Sequence, residues 1–583
     1  LTLRNPNGLE VKETLAVIPS AIGPSPLTVS DIQQIIAQGV SAALKLGFAG
    51  TFAITDREGN ILAVFEMKGA PKNVIIRDLG KLSDGLEGLT VPASTSAISK
   101  AGVGAFFGTQ GNAFSTRTAA WIIRENIPPF IKNRAGGPLF GVQVSSLGCS
   151  DIKQPGLPLG LAGDTGGFPI YKNGVIAGGL GVELNGEYNI ALNRPEHMVR
   201  PINGAANSDE NVDRALYIRE GIEEIVGIAA LKGYEAPEGI RADKILVDGI
   251  RLPYTRQLVV PSFETIPFKQ LPGKLKSDFP IRIGVQTEFR DITLHDRPVR
   301  VVNRFFPFKN GKGGLSIGEV EQILLQALKE ANRVRAAIRR PLEVAAEVNI
   351  TVIDADGNVL GLISTPDAPV FGFDVSVEKA RAVAFFSRSD SAQLFINAGL
   401  ADRLAMLRAD GIKLDGQFAF TARAVGFLAR PYFPDGISDN QLGPGPLSTP
   451  IGEYSPLNNG MQTSYLLRGG NGGNQPVILR SINNVLSKQK PVAPFCDASN
   501  GKTFSLLNNT VMIFAGSVPL FKSGQLVGAI GVSGDGIEQD DIIATYGSEN
   551  FEPPAERRSD RVFVRGIRLP YTKFPRHPHL GEE

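Results

Sequence analysis

The chain repeats itself. Val247-Asp248-Gly249-Ile250-Arg251-Leu252-Pro253-Tyr254-Thr255 returns as Val564-Arg565-Gly566-Ile567-Arg568-Leu569-Pro570-Tyr571-Thr572, and self-similarity of this length marks a duplicated folding unit. Three further landmarks precede each occurrence in the same order. Phe168-Pro169-Ile170-Tyr171-Lys172-Asn173-Gly174 matches Val518-Pro519-Leu520-Phe521-Lys522-Ser523-Gly524, each followed by a Gly-rich apolar run. Lys100-Ala101 with Ala105-Phe106-Phe107 matches Lys379-Ala380 with Ala384-Phe385-Phe386, and Thr55-Asp56-Arg57-Glu58-Gly59-Asn60 matches Ile353-Asp354-Ala355-Asp356-Gly357-Asn358. At 583 residues the chain exceeds what one hydrophobic core holds, so two fused copies also fit its size.

Each copy opens on a helical stripe: Val29, Ile32, Ile35, Ile36, Val40, Ala43 and Leu44 in the first, Val320, Ile323, Leu324, Ala327, Leu328 and Ala331 in the second. Two short apolar runs split by an Asp-x-x-Gly-Asn turn then predict a hairpin, because Gly and Asn tolerate the positive φ of tight turns. Ala and Phe at helical spacing around Lys100–Phe107 and Val377–Phe386 predict a second helix, with a third at Thr116–Glu125 and Phe418–Leu428. A second hairpin, Pro169–Val182 and Pro519–Val532, leads to a last helix near Asp209–Leu231 and Ile537–Tyr546. The order implies an α/β (α+β) class: two domains, each with an antiparallel sheet flanked by helices.

The expected boundaries are an N-terminal arm at 1–26, a first domain at 27–260 with an insertion near 183–208, and a connection at 261–314. The second domain is expected at 315–572 and a C-terminal tail at 573–583. Residues 261–314 carry several Pro and Gly and no sustained period.

Lys plus Arg number 60 against 58 for Asp plus Glu, so no broad basic field exists to hold a phosphate backbone, and nucleic acid is not expected as a partner. No stretch approaches the roughly 18 apolar residues of a membrane span. The first residue is Leu1 rather than Met, with no charged-then-apolar leader; this fits a mature exported protein whose signal was removed, in the periplasm or outside the cell. Two cysteines, Cys149 and Cys496, leave no Cys-rich metal site. They precede Pro169 and Pro519 by similar distances. A disulfide follows if symmetry brings their Cα atoms within about 7 Å, and two separate buried thiols are the alternative.

Gly524-Gln525-Leu526-Val527-Gly528-Ala529-Ile530-Gly531-Val532-Ser533-Gly534, followed by Glu538-Gln539-Asp540, resembles the closing signature of the GlcG/HbpS-like family. Val352–Asn358 and Glu378-Lys379-Ala380-Arg381 resemble that family's hairpin and Lys-Ala helix. The first copy departs from the signature, with Gly181-Val182-Glu183-Leu184-Asn185-Gly186 in its place. The resemblance implies a profilin-like α/β/α domain, oligomeric assembly and, in some members, binding of haem.

Non-covalent haem wants an axial His, Met, Cys or Tyr and a positive group for its propionates. His197 falls in the first-copy insert, His295 in the connection, and His577 and His579 in the tail, so the candidate metal ligands are His577 and His579, against a merely solvated tail. Lys100 and Lys379, with Arg381 in the same Glu-Lys-Ala-Arg stretch, are the candidate ligand-binding residues. A snorkelling surface lysine is the bland alternative. Asp535 with Glu538 reads as a capping box for the last helix, while Gly528 and Gly531 read as sites of close helix-on-strand packing. The triplet Asp164-Thr165-Gly166 lacks the second carboxylate that aspartic protease chemistry needs, since Phe514-Ala515-Gly516 stands at the matching place. The Ile-Arg-Leu-Pro-Tyr-Thr segments read as a structural clasp, with Arg251 and Arg568 pairing internally and Tyr254 and Tyr571 packing.

Two functions follow as expectations: an exported, non-catalytic small-ligand binder with haem or another tetrapyrrole as the ligand, or a structural subunit of a larger assembly. No nucleophile and base, nor a pair of unequal carboxylates, can be assembled in either copy, which places an enzyme last.

Overall fold

The computed structural model describes residues 2–4, 10–12, 27–76, 90–123, 139, 142, 150–152, 158–188, 221–247, 249–256, 260, 262–284, 287–430, 433, 445–448, 496, 506 and 511–582. Within them the two hairpin landmarks become one sheet built twice. In the first copy Ile61–Met67, Thr51–Asp56, Val175–Glu183 and Gly167–Lys172 lie side by side in that order, all antiparallel. In the second, Val359–Ser364, Asn349–Asp354, Gln525–Ser533 and Ser517–Lys522 do the same. Registers coincide. Thr51 faces Glu183 and Asp56 faces Gly178, as Asn349 faces Ser533 and Asp354 faces Gly528.

The first turn of each copy is closed by its own aspartate. Asp56 Oδ1 accepts the N–H groups of Glu58 and Asn60, both at 2.9 Å, and Asp354 Oδ1 accepts those of Asp356 and Asn358 at 3.0 and 2.9 Å. Gly59 and Gly357 take the positive φ, 79° and 87°, that a side chain resists.

The opening helices, Val29–Lys45 and Ile317–Ala331, begin in capping boxes, Thr28 with Asp31 and Ser316 with Glu319. Each lies with the last helix of its copy, 221–230 and Ile537–Gly547, over one face of its sheet and encloses a core of its own. The other faces carry Ala93–Phe107 and Gly372–Ser387, in which every residue is buried. Such a helix has no solvent side to reserve for polar residues. It is covered by its own sheet on one side and by further chain on the other.

That further chain includes the opposite copy. One apolar cluster runs through both helices and across the copies, where Phe107 lies 4.5 Å from Phe371 and Phe289 stacks on Phe373 at 4.4 Å, ring centre to ring centre. At Gly531 an added Cβ would sit 2.0 Å from the Ser376 carbonyl oxygen, and at Gly181 1.9 Å from that of Ala97. The helix therefore lies directly on the central strand, as expected of Gly531. Gly528 instead abuts Ile353 of the neighbouring strand.

The connection is more ordered than its composition suggests. Gly273–Leu275 adds an edge strand to the first sheet, and the hairpin Phe289–Leu294 with Arg297–Val302 adds two to the second. Three helical pieces also interrupt the expected run, Ser391–Asn397, Ala401–Ala409 and a shortened Ala422–Leu428. The tail folds back: Val334 bridges His579, and the Arg335 N–H donates to Pro578 O at 2.7 Å. Of the expected insertion, Glu187–Tyr188 forms a strand parallel to Asn73–Ile76, and residues 189–208 lie outside the described residues, as does most of the arm.

Cys496 is disulfide-bonded. Its N–H donates to Ser150 O at 3.2 Å, next to the only other cysteine of the sequence, Cys149, which lies outside the described residues.

Candidate functional site

The two repeated lysines are wholly buried, so neither is the surface lysine that a helical position allowed. Lys100 Nζ lies 2.8 Å from Asp164, 3.0 Å from Glu183 and 2.8 Å from Glu223, and donates to Val182 O at 3.1 Å. Burial works against its ammonium, but Asp164, Glu183 and Glu223 outweigh burial and hold it well above the usual lysine value. Lys379 donates to Val532 O at 2.7 Å and to Asp540 at 2.8 Å, and its ammonium stands 5.0 Å from the centre of the Phe514 ring. Burial wins there, only partly countered by Asp540, and the Lys379 ammonium falls below its usual value. Asp540 itself is pushed up to about 6 by burial.

Position by position the difference is small. Where the first copy has Asp164, Glu183 and Glu223 the second has Phe514, Ser533 and Asp540. One pair survives unchanged in kind beside each lysine: Arg117 grips Glu224 at 2.6 and 3.0 Å, and Arg423 grips Asp541.

Arg381 is likewise engaged internally. Its guanidinium takes both oxygens of Asp151, at 2.7 and 2.9 Å, and its Nε donates to Gly357 O at 3.1 Å. Asp374 secures the same stretch, accepting from Ser150 Oγ at 2.5 Å and from the Asp151 N–H at 2.7 Å. A second knot lies at Asp367, which accepts from Arg57 at 3.2 Å, from the Gln110 N–H at 2.8 Å and from Arg339. Arg57 and Gln110 belong to the first copy, Asp367 and Arg339 to the second. The seam between the copies is therefore charged at its margin and apolar in its middle.

Asp535 is not a cap. The helix Ile537–Gly547 begins after Gly536 with no side-chain cap, while Asp535 is drawn inward to Arg339 at 3.4 Å and accepts the Glu347 N–H at 2.8 Å. The clasp reading survives with different arginines: Arg241 lies over Tyr254 and Arg558 over Tyr571 at 5.7 and 4.2 Å, and the Tyr carbonyls accept from Ser115 and Thr421. Arg251 donates to Asp243 O, at 2.7 Å.

The tail histidines divide. Both ring nitrogens of His579 face carboxylates, Glu330 at 2.6 Å and Glu582 at 2.9 Å; the bond to Glu330 chiefly raises its affinity for a proton. His577 takes a positive φ of 46°. Among the described residues no group of three His, Cys, Asp or Glu is placed to hold a metal ion, and no helix is long and apolar enough to cross a membrane.

Comparison with known proteins bears on the second copy. Residues 464–549 match a family model described as "Haem degrading protein HbpS-like". Part of the second copy is thus similar to that family. That match takes in the hairpin Ser517–Lys522 with Gln525–Ser533 and the helix Ile537–Gly547, so Asp540, the partner of Lys379, lies within the HbpS-like segment. Among solved structures, the Klebsiella pneumoniae protein ORFY, of family DUF336, matches at 15% identity and a TM-score of 0.19, over 40% of this chain and 88% of its own. A PduOC:heme complex matches at 14% identity and a TM-score of 0.18, over 45% of this chain and 99% of its own. None of the curated proteins matches the sequence.

Among the described residues, no histidine of either repeated core stands ready for a haem iron. Of the four histidines, His295 is exposed against Glu321 at 2.8 Å, His577 and His579 lie in the tail, and His197 lies outside the described residues. In the second copy Met512 is packed in the shared core and Met406 accepts from Arg403 at 3.9 Å; in the first, Met67 accepts the Gly50 N–H through its sulfur and the Tyr171 hydroxyl donates to Thr109 O at 2.6 Å.

Proposed function

We propose that the protein is a non-catalytic small-ligand-binding protein acting outside the cytoplasm, with haem or another tetrapyrrole as the ligand of its HbpS-like second copy. The match over residues 464–549 carries this reading. None of the described side chains is assigned to the iron, because no described histidine lies in either repeated core. Titrating the purified full-length chain with haemin tests the proposal. A saturable Soret band at one equivalent supports it, and a spectrum that stays that of free haemin rejects it. His577→Ala with His579→Ala is expected to leave such a band in place, since His579 is held between Glu330 and Glu582.

A second reading, a self-associating or structural subunit without its own ligand, is favoured by one observation: Lys100, Lys379 and Arg381 all end in internal ion pairs. Light scattering on the colourless protein separates the two. A defined large assembly that ignores haemin favours the structural role.

A further inference from the structure

The Lys100 cluster carries more carboxylates than cations. Lys100, from the helix Ala93–Phe107, meets Asp164 from the approach to Gly167–Lys172, Glu183 from the central strand and Glu223 from helix 221–230, all of them buried. Tyr188 faces the same groups from the strand Glu187–Tyr188, and the neighbouring Arg117 is already matched by Glu224. With both Glu183 and Glu223 ionised, the one ammonium of Lys100 would face two carboxylates at 3.0 and 2.8 Å, with Asp164 beside them. Like charges in one dry site do not all ionise; they keep a proton among them.

The same carboxylates fasten the backbone where the strand Val175–Glu183 ends. Glu223 accepts the Leu184 N–H at 2.7 Å and Glu183 the Gly186 N–H at 3.1 Å. We propose that the first copy's Lys100 cluster is a proton-operated latch: a proton held on Glu223, which faces Glu183 and Asp164 across Lys100, keeps the Leu184–Gly186 turn tied to helix 221–230, and loss of that proton releases it. The direction follows from the charges. Deprotonation leaves the carboxylates repelling one another across Lys100, and the repulsion is relieved by letting water in. Burial, with Glu183 and Asp164 nearby, holds Glu223 well above the usual carboxylate range in spite of Lys100.

The second copy is the built-in control, because among the described residues Lys379 forms an ion pair with Asp540 where Lys100 forms three. The test is hydrogen exchange on the full chain between about pH 6 and about pH 9, corrected for the intrinsic pH dependence of exchange. Protection of the Leu184 amide and of helix 221–230 is expected to fall by up to about tenfold per pH unit once the cluster titrates. The Val532 amide, bonded to Gly516 O at 2.7 Å in the second copy, is expected to show no such slope above about pH 7, where Asp540, pushed up to about 6, is already ionised. Glu223→Gln, which keeps an acceptor for Leu184 but cannot ionise, is expected to flatten the slope. Equal slopes at Leu184 and Val532, or an unchanged slope in Glu223→Gln, overturn the latch. If Glu223→Gln does not fold, Asp164→Asn serves in its place under the same two outcomes.

Discussion

Arg381 and Asp151 stand 230 positions apart in the sequence and meet as a two-pronged ion pair, 2.7 and 2.9 Å, with both side chains buried. One comes from each copy. Breaking a buried pair by removing one partner costs more than never having made it, because the other charge is left in a dry site.

Arg381→Ala is therefore expected to destabilise the chain by roughly 3–5 kcal/mol, read from urea unfolding. Pairing it with Asp151→Asn is expected to recover part of that loss. Fully additive costs in the double mutant would show that the two side chains do not act on each other.

Glu58 gives the folded state a pH dependence of known sign. Burial chiefly pushes its carboxyl up to about 7, and its oxygens accept from Thr287 and from the Glu288 N–H at 3.0 Å. A carboxyl raised on folding binds its proton more tightly in the native state, so its contribution to stability shrinks as pH climbs from about 4 toward about 7. Glu58→Gln is expected to match the parent near pH 4 and to exceed it by roughly 1–3 kcal/mol near pH 8. Parallel curves of stability against pH would contradict this.

Two glycines should answer alanine in opposite ways. Gly531→Ala drives a Cβ against the Ser376 carbonyl, rigid helix backbone that has no room to give, and is expected to cost about 2 kcal/mol or more. Gly318→Ala, in the helix Ile317–Ala331 with nothing within 4 Å, is expected to add up to about 1 kcal/mol. Thermal unfolding of the two variants checks both.

Residues 27–260 and 315–572, expressed separately, are each expected to aggregate or to remain partly unfolded, because each would expose its side of the shared apolar cluster. Co-expression is expected to recover a soluble complex. A monomeric, cooperatively folding half would show that the outer cores suffice.

The sheet topology was legible because the repeat landmarks sit at its turns and central strand, where sterics leave few choices. The hairpin Phe289–Leu294 with Arg297–Val302 was not, since Arg290, Asp291 and Arg297 interrupt its apolar side chains and its turn uses His295 and Asp296 rather than glycine. The lysine helices were found but their burial was missed: the carboxylates that neutralise Lys100 come from 164, 183 and 223, too far along the chain for any local pattern to join. A signal was present. Arg57 stands where the other copy has Ala355, and Arg381 where it has Gly102, and both turn out to reach across the seam. A charge in one copy against a small residue in the other marks the contact that a duplicated fold cannot make with itself.

The shared middle cluster also changes how the pairing responds to concentration. Two separate polypeptides joined through such a face would drift apart on dilution, whereas here the tether keeps the faces at a fixed effective concentration. A few molecules in a large volume stay as fully paired as a crowded solution of them.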